Sequence, residues 1–163
     1  MKILVLSDSH SALRLMRSAV SALKPNAIVH LGDYYDDGLA IGEENPHIPF
    51  YQVPGNCDRY RLTSIIPETI CCDVCGVRLF MTHGHRHMVK MTRLTLEQDA
   101  RASHAQAALY GHTHEPDCRL VDGMWVLNPG SCGHGGGTVG LIEVEDKQIL
   151  SCKILREEDW MQP

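Results

Sequence analysis

The sequence predicts an α/β fold in which buried strands end in polar loops at one edge of a sheet. Three observations support this prediction: a β-α-β pattern opens the chain, polar clusters directly follow several apolar strands, and short strands with hairpin turns dominate the second half. The chain has 163 residues, which is enough to bury one substantial core. We therefore expect a single domain over residues 1–163.

The opening pattern begins with the apolar run Lys2–Leu6, which is typical of a buried parallel strand. We expect Ser11 to cap a helix, because apolar residues recur at helical spacing after it and Pro25 ends the pattern. A second strand is predicted at Ala27–Leu31. A right-handed crossover between two parallel strands places their carboxyl ends at the same edge of the sheet.

The rest of the chain is predicted to contain more strands and one more helix. Residues 36–46 are polar and predict a loop, whereas Met91–Ala105 contains good helix formers and predicts a helix. The last four strands predict an antiparallel second half with turns at Asp122-Gly123 and Asp146-Lys147. The predicted strands are Phe50–Val53, Thr69–Cys75, Val77–Thr82, Ala107–Tyr110, Arg119–Val121, Met124–Leu127, Thr138–Val144 and Gln148–Leu155.

Composition and charge restrict the class of partner. No apolar run is long enough to cross a bilayer, so we expect neither a transmembrane helix nor a membrane partner. The formal net charge of −5 argues against nucleic acid, because nucleic-acid-binding surfaces concentrate Lys and Arg. A phosphate substrate is still compatible with this charge, since bound divalent cations reverse the local sign where carboxylates cluster.

The seven cysteines are scattered without disulfide-like spacing, which predicts reduced thiols in a cytoplasmic protein. The strand that directly follows Met1 is too short for a signal-peptide core, in agreement with this localisation. Cys72 and Cys75 have C-x-x-C spacing, but no second pair accompanies them, so we interpret them as ordinary thiols rather than a zinc site.

Carboxylate, amide and imidazole side chains occur in short clusters that each follow a predicted strand. Side chains of these types bind hard or borderline divalent ions, and strand ends converge on one crevice in an α/β fold. A single Asp or His at a strand end is usually a turn or cap residue, so the hypothesis of a metal site depends on the whole set. The clusters are Asp8-Ser9-His10, Gly32-Asp33, Gly55-Asn56, His83 and His112-Thr113-His114.

These clusters read in order D-x-H, G-D-x-x-D with Asp36 as its last residue, G-N-x-D, a lone His, and G-H-x-H. In these motifs the chain resembles the calcineurin-like metallophosphoesterase superfamily, and most of all its small bacterial and archaeal YfcE-type phosphodiesterase branch. The resemblance covers nearly the whole chain. It implies a sandwich of two facing mixed β-sheets flanked by helices (α/β/β/α), with the branch's N-P-G-S motif at residues 128–131 as a supporting turn.

The resemblance further implies a phosphoesterase, with phosphodiesters favoured, that uses two divalent metal ions. Mn²⁺ is the expected ion, with Zn²⁺, Fe²⁺, Ni²⁺ or Mg²⁺ as alternatives. Two ions about 3.5–4 Å apart clamp the phosphate oxygens and lower the pKa of a bridging water, which then attacks phosphorus as hydroxide. The implied ligands are Asp8, His10 and His114 for one ion, Asn56, His83 and His112 for the other, and Asp33 as the bridge.

Cys57 departs from the pattern of the wider superfamily, in which many members carry a general-acid His after the Asn of G-N-x-D/E. A thiol is a poorer proton donor than imidazolium and carries no positive charge. The YfcE-type branch resembles this chain in having Cys there. We therefore expect substrates with good leaving groups, or protonation by Asp58 or His85, and the expected catalytic residues are those two with Asp33 and Asn56.

Other histidines have simpler interpretations. His30 lies inside an apolar strand, which favours a buried or supporting role over substrate contact. His47, His104 and His134 are predicted to be surface residues. The glycine run at 133–137 lacks the Lys of a phosphate-binding P-loop and is interpreted as a connector near the site.

Two questions remain open from the sequence. Tyr34 and Tyr35 either line a substrate pocket or pack against the protein. The second hypothesis for function is a non-catalytic scaffold on the same fold, resembling the retromer subunit related to these enzymes, although the complete ligand set argues against it. A nuclease is disfavoured by the acidic charge, and a homo-oligomer is compatible with the resemblance.

Overall fold

The first sheet of the computed structural model, which describes residues 1–58 and 66–161, contains the predicted β-α-β opening. Strand β1 pairs in parallel with β2, β2 pairs in parallel with β3, and β9 pairs antiparallel with β1 on its other side. The order is β10-β9-β1-β2-β3. Its strands are β1 (Lys2–Leu6), β2 (Ala27–His30), β3 (Phe50–Gln52), β9 (Thr138–Glu145) and β10 (Gln148–Arg156).

The second sheet has the order β4-β5-β6-β8-β7. The β4/β5, β7/β8 and β9/β10 hairpins are antiparallel as predicted. The strand β8 also pairs in parallel with β6, so this sheet is mixed and the second half is not antiparallel throughout. The strands of this sheet are β4 (Thr69–Val74), β5 (Val77–Thr82), β6 (Ala107–Leu109), β7 (Asp117–Val121) and β8 (Met124–Asn128).

The hydrophobic core lies between the two sheets. Ile3 and Val29 from the first sheet share this core with Leu79 and Leu109 from the second, and all four are fully buried. Helices cover the outer faces: Met16 and its neighbours pack on the first sheet, and a separate apolar cluster packs under the helix on the second. The helices are α1 (Leu13–Leu23), α2 (Tyr35–Glu44), α3 (Leu94–Ala102) and α4 (Glu157–Trp160). The predicted α/β/β/α sandwich is thus confirmed.

The helix α2 occupies a segment that the sequence predicts to be a loop. It contains two glycines, which lower its intrinsic helix propensity, although the two carboxylates of its first turn suit a helix N-terminus. The glycines are needed for packing: a Cβ at Gly38 would overlap the side chain of Gln52, and one at Gly42 would lie 3.1 Å from the ring of Phe50. Tertiary packing against β3 therefore overrides the local preference.

Two helices begin at residues other than the predicted ones, and one further helix was not predicted. Helix α1 begins after Ala12 without a side-chain cap, because Ser11 has a left-handed φ of 68° and its N–H donates to Asp37 Oδ2. Helix α3 is shorter than predicted, with Arg93 at its N-cap position. The sequence analysis missed α4, a single turn in which Asp159 accepts a hydrogen bond from the Arg156 N–H at 2.7 Å.

The remaining strand boundaries agree with the predictions to within two residues. None of the helices in the described ranges combines the length and the apolar character that crossing a membrane requires.

Candidate active site

The loops that follow β1, β2, β3, β5 and β6 meet at one end of the sandwich and hold the predicted site residues. Their backbone is unusual, since non-glycine residues rarely adopt a positive φ. A left-handed conformation costs a non-glycine residue roughly 1–2 kcal/mol, and clusters of such residues occur at functional sites. The predicted site residues with positive φ are Asp8 (51°), His10 (44°), Asp33 (57°), His112 (70°) and His114 (61°).

Two glycines allow these loops to approach one another. A Cβ at Gly55 would overlap Asp33 Oδ1, and a Cβ at Gly111 would overlap the hydroxyl of Ser7 and lie 2.7 Å from Asp8 Oδ2. Any side chain at either position would push a carboxylate out of the site. The glycines that precede Asn56 and His112 in the motifs are therefore required by the geometry.

A first group of side chains converges around Asp8. One nitrogen or carboxylate oxygen from each of Asp8, His10, Asp33 and His114 lies within 4.8 Å of the others. His114 Nε2 is 3.1 Å from Asp8 Oδ1 and 3.3 Å from His10 Nε2. The Asp8 Oδ1 atom is buried and accepts no hydrogen bond from the described residues. A buried carboxylate oxygen facing two imidazoles is a donor set that fits a divalent cation.

The protein holds Asp8 through its other polar atoms. Asp8 Oδ2 accepts hydrogen bonds from the Ser7 hydroxyl at 2.5 Å and from the His112 N–H at 3.0 Å. The backbone carbonyl of Asp8 accepts a hydrogen bond from the Ser131 hydroxyl at 2.7 Å. Oδ1 is therefore the atom directed into the site.

A second group surrounds His83, which is fully buried. Its Nδ1 lies 2.8 Å from the Leu31 carbonyl, to which only an N–H can donate, so Nε2 is the ring nitrogen that is available to a ligand. This Nε2 faces Asn56 Oδ1 at 3.1 Å and Asp33 Oδ1 at 3.5 Å. The centroid of the His112 ring lies 5.1 Å from the centroid of the His83 ring. The structure thus brings the seven predicted metal-site residues together, with Asp33 next to both groups.

Electrostatics favours protonation states that bind cations. Burial lowers the pKa of His112 to about 4, with a further contribution from His83. The pKa of His10 is lowered by burial and then by His134 and His114. Burial alone would raise the pKa of Asp33, but His83, the Cys57 N–H and His10 together lower it below its ordinary value. Neutral imidazoles and an ionised carboxylate are the forms that coordinate metals.

Asp58 and His85 lie beside the site. The buried carboxylate of Asp58 accepts hydrogen bonds from the backbone N–H groups of Asp33 (3.0 Å), Gly55 (2.7 Å) and Tyr35 (2.9 Å). It thereby joins the loops after β2 and β3. The His85 ring is half-buried, with its centroid 5.5 Å from the centroid of the His83 ring.

A cleft of about 550 Å³ opens next to the first group of residues. The Tyr34 ring lines it and also packs on His10 edge to face, with 4.9 Å between centroids, and Tyr35 lines it as well. Cys57 also lines it, and partial burial followed by the Asp33 carboxylate raises the pKa of its thiol to about 11. A larger cleft of about 680 Å³, beside Lys24 and His47, lies at the opposite, amino ends of the parallel strands.

His134 is the site residue that the sequence analysis missed. It is exposed, as predicted, but its ring centroid lies 4.4 Å from that of His10, and its ring stacks on His114 with 5.3 Å between centroids. The glycine run at 133–137 was predicted to lie near the site, and His134 is part of that run, so the sequence did offer a reason to include it. His30, in contrast, is fully buried, and burial lowers its pKa to about 3.

Comparisons with known proteins agree with the family resemblance. The model of the calcineurin-like phosphoesterase superfamily domain matches residues 1–147. A phosphodiesterase of Methanocaldococcus jannaschii is 29% identical over 165 aligned positions, which cover 91% of this chain and 96% of that protein.

Solved structures give the same result for the fold. A predicted phosphoesterase from Streptococcus pneumoniae has a TM-score of 0.76 and 25% identity, and the match covers 96% of this chain and 90% of that chain. Vps29 from Entamoeba histolytica, solved with zinc, has a TM-score of 0.68 and 18% identity, with 96% and 99% of the two chains covered. At that identity, the likeness to Vps29 concerns the fold alone.

Proposed function

We infer the function of this chain from its family and its site: it belongs to the calcineurin-like phosphoesterase superfamily, and we propose that it hydrolyses phosphate esters with the aid of two divalent metal ions. The observation that carries this proposal is the convergence of buried carboxylates and of buried or partly buried imidazoles on the two sides of Asp33. A preference for diesters is supported by the similarity to the phosphodiesterase of M. jannaschii.

The proposed ligands follow from the two groups of side chains. When bound, the ions would polarise the phosphate and supply a hydroxide nucleophile near neutral pH. Mn²⁺ is the preferred candidate, and Zn²⁺, Fe²⁺, Ni²⁺ or Mg²⁺ are the alternatives. In this proposal Asp8, His10 and His114 hold one ion, Asn56, His83 and His112 hold the other, and Asp33 bridges them.

The residues of the chain contribute orientation and charge. The Leu31 carbonyl fixes the His83 ring so that Nε2 faces the site, and Asp58 fixes the backbone of Asp33. Because Asp58 already accepts three backbone hydrogen bonds, we assign it a positioning role rather than that of the general acid. The raised pKa keeps the Cys57 thiol protonated at neutral pH, where it hydrogen-bonds to Asp33 and brings no positive charge. Substrates with good leaving groups suit this arrangement.

The proposal also covers the organisation of the protein. We propose that residues 1–163 form one domain that acts in the cytoplasm on a small phosphate ester. The cleft beside Tyr34 is the proposed location of the alcohol part of the ester. The net charge of −5 supports a small substrate rather than nucleic acid, and a homo-oligomer is compatible with this function.

The test uses metal-stripped protein and two chromogenic esters, bis-p-nitrophenyl phosphate and p-nitrophenyl phosphate, with one ion restored at a time. We expect metal-dependent turnover that is faster with the diester. The isosteric change Asp33→Asn removes the bridging charge and is expected to lower turnover at least about 100-fold. Asp122→Asn, at an exposed turn, is the matched control. Full activity of Asp33→Asn would refute the proposal.

The scaffold hypothesis makes the opposite prediction. It is compatible with the fold shared with Vps29, but it gives no role to the neutral, convergent imidazoles and ionised Asp33. If the chain binds a protein partner tightly and hydrolyses neither ester with any of the ions, the scaffold becomes the better explanation.

A further inference from the structure

The outer edge of the candidate site holds three imidazoles that face one another. Ring nitrogens from His10, His114 and His134 lie within 4.8 Å of each other. His134 stacks on His114 at an interplanar angle of 10°, and it contacts His10 edge to face. His134 is not part of the family motifs, and the proposed hydrolysis does not use it.

The loop that carries His134 is built to reach His10. The Ser131 hydroxyl accepts hydrogen bonds from the N–H groups of Gly133 (3.1 Å) and His134 (3.0 Å), and it donates to the Asp8 carbonyl. A Cβ at Gly133 would lie 2.9 Å from the Cβ of His10, so only glycine permits this approach. One hydroxyl thus joins the backbone of the loop to the backbone of the first ligand motif.

We propose that His10, His114 and His134 form an outer, all-imidazole cation position that takes Zn²⁺ in competition with the inner position made by Asp8, His10, Asp33 and His114. The inference rests on the proposed function, because the inner position is that of the first catalytic ion. The ligand atoms of the inner position all lie within 4.8 Å of one another, and so do those of the outer position. Among the described residues, His134 lies within this distance of the two other imidazoles but not of both carboxylates as well. The ligand atoms therefore describe two neighbouring positions rather than one.

The two positions differ in ion preference. The inner position contains two carboxylates, which accept Mn²⁺ or Mg²⁺ as well as Zn²⁺, whereas three imidazoles with an open fourth site suit Zn²⁺ and bind Mg²⁺ poorly. The positions compete for His10 and His114, whose Nε2 atoms lie 3.3 Å apart, since a ring nitrogen offers its lone pair to one ion at a time. An ion in the outer position withdraws both imidazoles from Asp8 and Asp33. Excess Zn²⁺ therefore inhibits the enzyme loaded with Mn²⁺.

The first experiment measures ion binding without reference to catalysis. Metal-stripped wild type, His134→Gln and His47→Gln are titrated with Zn²⁺ and separately with Mn²⁺ in competition with a chromogenic chelator. His47 is exposed and lies beside the remote cleft, so His47→Gln is the matched control. We expect His134→Gln to weaken the tightest zinc affinity at least about tenfold and to leave manganese affinity unchanged.

The second experiment measures turnover of bis-p-nitrophenyl phosphate by Mn²⁺-loaded protein as Zn²⁺ is added. Wild type and His47→Gln are expected to lose activity with the same zinc dependence, whereas His134→Gln keeps its activity to at least about tenfold higher Zn²⁺.

The outcomes separate this inference from the proposed function. Equal zinc affinity and equal zinc inhibition in wild type and His134→Gln would overturn the outer position and leave the proposed function intact. A parallel loss of Zn²⁺ and Mn²⁺ affinity in His134→Gln would also overturn it, because His134 would then belong to the inner position. If wild type binds neither ion, the proposed function itself fails.

Discussion

Two halves of the candidate site are held in different ways. In the anchored half (Asp33, Asn56 and His83), side chains bond to the backbone or to one another: His83 to the Leu31 carbonyl, and Asp33 to the Cys57 N–H. In the open half (His10, His114 and His134), the contacts are mainly between imidazole rings, and His114 is more than a third exposed. Hydrogen bonds hold the side chains of the anchored half, whereas we expect a bound ion to order the rings of the open half.

The change His83→Ala tests the anchored half and has the largest expected effect. It removes a proposed ligand and leaves the buried Leu31 carbonyl without its hydrogen-bond donor. We expect turnover to fall at least about 100-fold and the free energy of unfolding of metal-free protein to fall by about 1–3 kcal/mol. Ester hydrolysis and urea unfolding measure the two effects. Unchanged stability would show that His83 is not anchored as described.

Asp58→Asn is expected to have the next largest effect. The amide can accept through one oxygen only, so at least one of the N–H groups of Asp33, Gly55 and Tyr35 loses its partner. We expect a loss of about 1–3 kcal/mol in urea unfolding and slower turnover with an unchanged shape of the pH–rate profile. Loss of one limb of that profile would instead identify Asp58 as the general acid.

Acid is expected to destabilise the metal-free protein through the buried imidazole of His30 and the partly buried imidazole of His112. The folded-state pKa of His30 is lowered to about 3 and that of His112 to about 4, mainly by burial. In the unfolded chain both protonate near their ordinary pKa of 6.5. Their contribution is therefore present above that pH and is lost as the pH falls towards the folded-state values, at up to about 1.4 kcal/mol per pH unit for the fully buried His30 and less for His112, whose charge solvent partly screens.

The variant His30→Leu sharpens this prediction, because it removes one of the two titrations while leaving the candidate ligands in place. Urea unfolding of metal-free protein at several pH values between 7 and 4 should give a shallower pH dependence for the variant, by up to about 1.4 kcal/mol per unit. Parallel curves for wild type and His30→Leu would contradict the assignment.

The smallest effect is expected for His114→Ala in the open half. Because His114 is partly exposed and receives no backbone hydrogen bond among the described residues, the metal-free variant should unfold within about 0.5 kcal/mol of wild type. The increase in thermal stability on adding Mn²⁺ should nonetheless be smaller than in wild type, since binding only the folded state stabilises it. A large loss of metal-free stability would remove the distinction between the two halves.

The sequence predicts much of the anchored half because its site residues directly follow predicted strands. Asp33 and His83 follow apolar strands directly, and parallel strands bring their carboxyl ends to one edge of the sheet. The two facing sheets came from the family resemblance, since hairpin signals do not say which strands become neighbours. The parallel pairing of β6 with β8 is a long-range contact of this kind.

The missed features depend on contacts that local patterns do not encode. Helix α2 forms because Gly38 and Gly42 fit against β3, although glycine lowers helix propensity. The position of His134 depends on a hydrogen bond from the loop to Ser131, which in turn bonds to Asp8 at the other end of the chain. The roles of the predicted ligands, of Asp58 and of His85 remain predictions for the experiments above.

The pairing of β1 with β9 has a consequence for the order in which the protein is made. Strand β1 lies between β2 and β9, so one of its two neighbours in the sheet is synthesised only near the end of the described chain. The loop after β1 is also tied to residues that emerge late, because Cys132 N–H donates to the Ser7 carbonyl and Ser131 to the Asp8 carbonyl. On the ribosome, the ligand motif at Asp8 is therefore translated first and takes its final shape last.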